Sequence, residues 1–373
     1  MEARSSAPSA PRRRLPLLCL AATVGLSAAG LAEPPGPGLT RVLAPTLFPT
    51  WQTWNVAHPF VLEEAGSLLL YYSGSGDTQM NDSVTDVWSI GLATSEDQRH
   101  FSYPEDYEPV LAPRRFREGE VVDPRGPRGA FDRLAVFAPS VLRDDSGYRM
   151  WYTGWNGTAE VGPGGRTTRQ GFRIGLATSK DGRSWTKVRG AEPEGAAFPL
   201  GGTIAPDGKG ASHPWVLRQP GGFRMWYEAF DGQASRIATA WSSDGLVWRK
   251  EGLALDLGGP DAADGAGLAH PVVFARQGRF ELWYEATGRW TPAHRILRAV
   301  SPDGQRWTRA GEVGLHPVPP VTGDERIHVG SVLVQPDGSC RVFLAKQVTT
   351  RRQAAWGEVT IRSFHIFVET ITP

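Results

Sequence analysis

Three histidines that each stand directly before a proline are the first candidates for chemistry in this chain: His58, His213 and His270. A glutamate follows two of them at the same interval of 15 residues, at Glu228 and Glu285. An imidazole can carry a proton near neutral pH or bind a metal ion, and a carboxylate beside it favours its charged form. The pattern predicts a site of paired imidazoles and carboxylates, provided that the fold brings these positions together.

The histidines occupy one position of a repeat that occurs five times. Each copy begins with an apolar run, at His58, Ala138, His213, His270 and Val329. A polar turn rich in Gly and Asp follows, and a second apolar run ends 15 residues after the start in four copies, at Ser73, Thr153, Glu228 and Glu285. Apolar runs separated by such turns are typical of β-hairpins.

The rest of each copy extends the hairpin to four strands. A third apolar run follows in four copies, and three of these continue with an Asp-Gly turn and a tryptophan, at Trp185, Trp248 and Trp307. Four strands make one propeller blade, and ring closure removes exposed sheet edges. We therefore predict an all-β fold, a five-bladed β-propeller with four-stranded antiparallel blades. Either Leu39–Phe48 or Phe364–Thr372 is expected to complete the ring.

The first 32 residues differ from the rest. Arg12–Arg14 precede the apolar run Leu15–Leu26, and small residues follow up to Ala32, an order typical of a secretory signal. We expect 1–32 to be a signal or targeting segment and 33–373 to be the propeller, secreted or periplasmic and without a membrane span in the mature chain. The Ser-, Ala-, Pro- and Arg-rich start, Met1–Arg14, leaves a plastid or other organelle lumen as the alternative.

Composition restricts the partners. The formal net charge is +1 and basic residues form no run beyond Arg12–Arg14, so nucleic acid is not expected as a partner. The two cysteines, Cys19 and Cys340, are too few for a thiolate–metal cluster. We expect no required cofactor, and a divalent metal at the channel axis is the open alternative.

Propeller geometry predicts where a ligand would bind. The start of each inner strand and the end of the second strand should meet on one face, beside the central channel. The loops that join the blades reach the same face and carry Asp132. Aromatic rings suit the C–H faces of sugars, and four tryptophans are candidates for such stacking: Trp54, Trp155, Trp215 and Trp290. A small carbohydrate is therefore the expected ligand.

The repeat resembles a known superfamily. Phe137–Val141 followed by Met150–Gly154 resembles the second blade of arabinanase- and xylosidase-type glycosidases. The run Ile174–Ser179 with its Asp-Gly turn and Trp185 is similar to modules of the invertase, levansucrase and arabinanase superfamily, which includes glycoside hydrolase families 43 and 32. The resemblance covers Asn55–Leu344 and implies a glycoside hydrolase with two carboxyl groups across the scissile bond.

The sequence departs from that superfamily at the acids. The resemblance implies an Asp where His58 stands, and His213 and His270 occupy the next inner-strand positions. Glu228 and Glu285 could supply the carboxylates from neighbouring strand ends. A histidine could itself be the acid, as in the neoagarobiose-hydrolase branch of the superfamily, or the fold could have left glycoside chemistry.

Three hypotheses remain open from the sequence. In the first, the protein is a glycosidase with Asp132, Glu228 and Glu285 as acids and the three histidines as proton partners. In the second, it is another kind of enzyme with a metal held by the histidines, to which His328 could be added. In the third, it is a carbohydrate-binding or interaction propeller without catalysis.

Overall fold

The computed structural model describes residues 38–46, 51–52, 54–76, 87–104, 108–113, 130–161, 167–289, 295–315, 326–354 and 357–371, with the backbone alone at 159–161, 167–169, 350–354 and 357–361. These residues all belong to one compact unit, Ala32–Pro373. The expected targeting segment, 1–32, is not among them and stays a prediction. No helix in the described ranges is long and apolar enough for a membrane span.

The described residues form β-strands almost throughout. In chain order these are β1 (Leu39–Leu43), β2 (Asn55–Glu64), β3 (Ser67–Gly76), β4 (Val87–Ser95), β5 (Ala135–Asp144), β6 (Gly147–Trp155), β7 (Ala159–Val161), β8 (Thr167–Arg169), β9 (Arg173–Ser179), β10 (Trp185–Val188), β11 (Gly210–Gln219), β12 (Gly222–Phe230), β13 (Ser235–Ser242), β14 (Arg249–Leu255), β15 (Gly267–Arg276), β16 (Arg279–Thr287), β17 (Arg295–Ser301), β18 (Thr308–Glu312), β19 (Ile327–Val334), β20 (Cys340–Ala354) and β21 (Gly357–Ile371).

Five antiparallel sheets make the blades. Blade one is β2-β3-β4, blade two is β5-β6-β9-β10, blade three is β11 to β14, blade four is β15 to β18, and blade five is β19-β20-β21-β1. The inner strands contact one another in the order β2, β5, β11, β15, β19 and back to β2, which closes a ring. The predicted five-bladed propeller is confirmed.

The ring is closed by both chain segments that the sequence offered as alternatives. The segment β21 is the third strand of blade five, and β1 pairs with it as the fourth, with Leu39 opposite Glu369. The strand β1 thus covers part of the outer edge of β21 and is itself the outermost strand of this blade.

Blade one departs from the predicted four strands. Its sheet contains three strands, and in the described residues the chain after β4 makes two isolated bridges, from Thr94 to Ser102 and from Ile90 to Leu111. Pro104 and Pro109 lie between these bridges. Proline lacks the N–H that a ladder requires, so a regular outer strand does not form here.

The Asp-Gly turns and tryptophans join neighbouring blades. The indole N–H of Trp226 donates to the carbonyl of Gly304 in the next blade at 3.1 Å, and Trp226 packs against Trp307 at 6.2 Å between ring centroids. Trp151 makes the same contact with Gly245 at 3.2 Å. These residues are therefore part of the blade packing and do not belong to the ligand site.

Trp226→Ala is expected to lower the free energy of unfolding by about 3–5 kcal/mol, because it empties a fully buried site at a blade interface. Urea denaturation measures this change. Trp54→Ala, at a tryptophan that is 49% exposed, is the control and should change the free energy by less than about 1 kcal/mol. Equal losses in both variants would contradict this account of blade packing.

Candidate functional site

Four histidines converge where the inner strands surround the channel axis. His58 lies on β2, His213 on β11, His270 on β15 and His328 on β19. The ring centroids of His213 and His270 are 3.9 Å apart, and those of His270 and His328 are 4.7 Å apart. The ring of His58 lies 5.2 to 5.6 Å from the other three. We call these four residues the axial histidine cluster.

A β-bulge places each of the three predicted histidines. The sequence predicted that these positions open their strands, but in the structure they lie inside the strands. In blade one the pairing with β3 skips from Ala57 to Phe60, so that His58 and Pro59 bulge from the ladder. Proline cannot donate to the ladder, which explains a bulge at this point. The inner strands of blades two, three and four have the same irregularity.

The bulge residues have a left-handed backbone. Their φ angles are 48° at His58, 49° at Ala138, 48° at His213 and 50° at His270. This conformation costs a residue other than glycine about 1–2 kcal/mol. A following proline also disfavours the right-handed helical region. Strain of this kind persists where the surrounding structure holds it, and it is frequent at functional sites.

The residue 15 positions after each bulge residue lies inside the second strand, two or three residues before its end, and in blades one to four it contacts a bulge. In blades one and two it binds the backbone of the next blade, because Ser73 Oγ accepts from the Ala138 N–H at 2.9 Å and Thr153 Oγ1 accepts from the His213 N–H at 2.8 Å. In blades three and four the same position is a glutamate. The same repeat position therefore binds the next blade in blades one and two, and contacts a histidine in blades three and four.

Glu285 binds two members of the cluster. Its Oε1 lies 2.5 Å from Nδ1 of His270 and 2.6 Å from Nδ1 of His328. An ionised carboxylate can only accept, so both Nδ1 atoms carry protons and both Nε2 atoms face elsewhere. The carboxylate side chain is only 4% exposed. Glu285 therefore fixes the orientation of the two rings.

Glu228 makes fewer hydrogen bonds to the histidines than Glu285 does. Ser235 donates to its Oε1 at 2.7 Å, while its Oε2 lies 3.2 Å from His213 Nδ1. That approach lacks the angle of a hydrogen bond, and within the described residues Oε2 has no hydrogen-bond partner. Glu228 is therefore the carboxylate of this site with an oxygen available to a ligand.

Burial lowers the pKa of three of the histidines. It holds the pKa of His58 well below its usual range, aided by the other rings, and brings that of His213 to about 4. Burial also lowers the pKa of His328, although Glu285 opposes the shift. These three rings are neutral at neutral pH.

The charged members of the site are His270 and the two glutamates. Burial acts to lower the pKa of His270, but the Glu285 carboxylate outweighs it and raises that pKa. Burial acts to raise the pKa of both glutamates, yet the histidines lower it, and for Glu285 well below the usual range. The site thus contains two carboxylates and one imidazolium, and Arg326 adds a positive charge that acts on His270 and His328.

Two ring nitrogens of the axial histidine cluster lack hydrogen-bond partners among the described residues. His58 Nδ1 and His213 Nε2 are both buried in this way. The rings lie against an axial cavity of about 40 Å³, lined also by the bulge prolines and Trp215. A cavity of this size has room for water molecules or an ion. The candidate nitrogens of His58, His213 and His270 all lie within 4.8 Å of one another.

Aromatic side chains that were not predicted form part of the wall. The ring of His58 lies 5.6 Å from Trp88 and 5.8 Å from Phe137, and that of His328 lies 4.8 Å from Phe364. Phe137 stands one residue before Ala138, and His328 one residue before Val329, which are the repeat positions of blades two and five. Extending the repeat by one residue would have identified both of them.

Asp132 is engaged elsewhere in the blade. Its Oδ2 accepts from Tyr152 at 2.9 Å and contacts Lys187 Nζ at 2.6 Å. The same contacts recur in the next two blades, at Asp207 with Tyr227 and Lys250, and at Asp264 with Tyr284 and Arg309. The structure thus assigns Asp132 to a repeated contact that links a blade-joining loop to two strands, and does not bring it to the histidines.

The predicted tryptophans have different environments. Trp155 is buried and donates to the carbonyls of Thr158 and Gln170 at 2.9 and 3.0 Å. Trp215 lines the axial cavity and donates to the Val273 carbonyl at 2.6 Å. Trp54 is about half exposed, and its contact with a sugar stays a prediction. Trp290 lies outside the described residues.

Comparison with known sequences gives a relative but no family. No family model matches the chain. The chain is 28% identical over 282 residues to an uncharacterized protein of Mycobacterium tuberculosis, found in two strains, and the match spans 74% of this chain and 82% of that protein.

Solved structures resemble the propeller throughout its length. They include a glycosyl hydrolase from Bacteroides ovatus, with a TM-score of 0.57, 17% identity and coverage of 87% of this chain and 85% of that one. A family 117 glycoside hydrolase from Zobellia galactanivorans has a TM-score of 0.55 and 15% identity, and the match covers 89% of each chain. A β-1,2-mannobiose phosphorylase from Listeria innocua, in complex with β-1,2-mannobiose, has a TM-score of 0.56 and 12% identity. The match covers 90% of this chain and 92% of that one. The predicted resemblance to five-bladed glycosidases is confirmed for the fold.

Proposed function

We propose that this protein cleaves a glycosidic bond of a carbohydrate at the axial histidine cluster. The observation that carries the proposal is the convergence of four histidines and two glutamates on the channel axis. The fold supports a carbohydrate as substrate, since the proteins named above with the same fold are glycoside hydrolases and a mannobiose phosphorylase. Fold alone does not define a reaction, so the site residues carry the rest.

Cleavage of a glycosidic bond requires two groups. One protonates or polarises the leaving oxygen, and the other is a carboxylate that activates water or attacks the sugar. Glu228 suits the second role, because one of its oxygens has no hydrogen-bond partner among the described residues. The histidine cluster suits the first, either through an imidazole proton or through a cation bound to the rings. Glu285 is a positioning residue, since both of its ring contacts orient histidines.

The direct test is incubation of the purified chain with a panel of oligosaccharides that includes β-1,2-mannobiose and arabino-oligosaccharides, with and without inorganic phosphate. Mass spectrometry of the products is expected to show a shortened sugar, and a sugar phosphate would identify a phosphorylase. Absence of turnover together with absence of sugar binding across the panel would refute the proposal.

Glu285→Gln is expected to reduce kcat/KM about 10- to 100-fold, the usual effect of removing a carboxylate that orients a histidine. The loss should fall mainly on kcat, because the rings lose their orientation while the sugar contacts remain. Glu281→Gln is the matched control, since Glu281 is a buried glutamate on the same strand that contacts Trp283 outside the cluster. Equal losses of kcat/KM in the two variants would show that the activity depends on having a buried glutamate on this strand, and not on its contact with the histidines.

A second candidate function is carbohydrate binding without catalysis. One observation favours it: Glu285 is fully engaged, so the cluster offers one available carboxylate where glycosidases commonly use two. Titration calorimetry with the same sugars separates the two functions. Binding of a sugar that is recovered intact after long incubation would support the binding protein.

A further inference from the structure

We propose that His58, His213 and His270 bind one divalent transition-metal ion, of the zinc class, at the propeller axis. The candidate nitrogens of the three side chains already lie within 4.8 Å of one another. Around a tetrahedral ion with bonds of about 2.0–2.1 Å, ligand atoms are about 3.4 Å apart. Small side-chain rotations would close the remaining gap.

The unpartnered nitrogens point independently to a ligand. His58 Nδ1 and His213 Nε2 are buried and have no hydrogen-bond partner in the described part of the chain. A buried polar atom without a partner is costly, and a bound ion or water would satisfy it. The axial cavity of about 40 Å³ that these rings line has room for an ion with its water.

The two glutamates provide the support that a histidine metal site needs. A metal-binding imidazole usually donates its other N–H to a carboxylate, which fixes its orientation and raises its basicity. Glu285 occupies that place at 2.5 Å from His270 Nδ1. Glu228 Oε2 lies 3.2 Å from His213 Nδ1 without the angle of a hydrogen bond, and a small rotation of the ring would bring it into the same place. The Nε2 atoms of both rings are then the ligands, and the carboxylates offset the charge of the ion.

The donor set selects the metal and its coordination. Imidazole nitrogens suit zinc, copper, iron or nickel, whereas calcium and magnesium prefer oxygen. His270, Glu285 and His328 form a second group of potential ligands, but their separations of 2.5 and 2.6 Å are those of hydrogen bonds that occupy these atoms. Three histidine ligands leave one position open, as in catalytic zinc sites, for water or a substrate oxygen.

The test is zinc binding by the full chain after removal of metals with EDTA. Calorimetric titration with zinc sulfate and elemental analysis are expected to give about one ion per chain. Cobalt(II) in place of zinc should show the visible absorption of a tetrahedral site, a readout that needs no variant. His213→Gln and His270→Gln should each weaken zinc binding about 100-fold or more.

His365→Gln is the matched control, since His365 is a buried histidine of β21 that contacts Ser363 and lies outside the cluster. It should keep the zinc affinity of the unchanged chain. Absence of one-to-one zinc binding, or binding that persists in the double variant of His213 and His270, would overturn the proposal. The outcome is separate from that for the reaction: cleavage without any zinc binding would refute only the metal, and zinc binding without cleavage would refute only the reaction.

Discussion

His213→Gly is expected to reduce carbohydrate cleavage about 100-fold or more while leaving the propeller at least as stable as before. The loss follows from removal of an imidazole from the centre of the cluster, where proton-transferring groups contribute about 10²–10⁴-fold. The stability follows from the backbone, because φ is 48° at this position and glycine adopts that angle without the cost paid by histidine. Kinetics and urea denaturation of the same preparation measure both effects.

The stability part has its own control in blade two. Ala138→Gly has the same backbone angle, 49°, but removes no imidazole, so it should show a similar change in the free energy of unfolding. Glycine also gives the unfolded chain more conformational freedom, which lowers the free energy of unfolding by about 0.5–1 kcal/mol. The net increase in the free energy of unfolding should therefore not exceed about 1 kcal/mol. A loss of several kcal/mol in His213→Gly with none in Ala138→Gly would show that the ring is structural.

Glu228→Gln is expected to reduce kcat about 10²–10⁴-fold with a much smaller change in KM. The amide keeps the shape of the side chain and can still accept from Ser235, which donates to Oε1 at 2.7 Å in the unchanged protein. What it loses is the negative charge on an oxygen that has no hydrogen-bond partner in the described residues. Steady-state kinetics on the best sugar of the panel measure the effect.

A rescue experiment distinguishes direct participation of Glu228 from support of His213. Glu228→Ala leaves space for a small carboxylate, so added formate should restore part of the activity if the carboxylate acts on the sugar or on water. Formate should not rescue His213→Gln. An unchanged kcat in Glu228→Gln would contradict any direct role and would favour the binding function.

Much of the fold follows from the repeat. Five copies of one pattern predict five blades, because each copy must bury its apolar strands against a neighbour. The pattern fails at the outer strand of blade one, where Pro104 and Pro109 prevent a ladder. It also cannot show that β1 and β21 pair, since partners so distant in sequence carry no local signal.

The sequence predicted those residues of the site that occupy equivalent positions in several copies of the repeat. His213 with Glu228 and His270 with Glu285 share a strand pair, and a fixed interval of 15 residues indicates their contact. His328 stands one residue before the position of the other histidines, so the repeat did not identify it. Asp132 is a buried acid in a loop, and the sequence does not show that Tyr152 and Lys187 bind it.

The closure of blade five has a consequence for how the domain is made. Leu39 of β1 is among the first residues of the propeller to be synthesised, and its partner Glu369 is among the last. Blades two, three and four can each form from a continuous stretch of chain, but blade five must wait for the whole chain. Long-range pairing of this kind is slow, because the entropy of closing a long loop is lost before the contacts form. We therefore expect the rate of folding to be set by a single late closing event, during which β1 and the outer edge of β21 are open to mispairing with another chain.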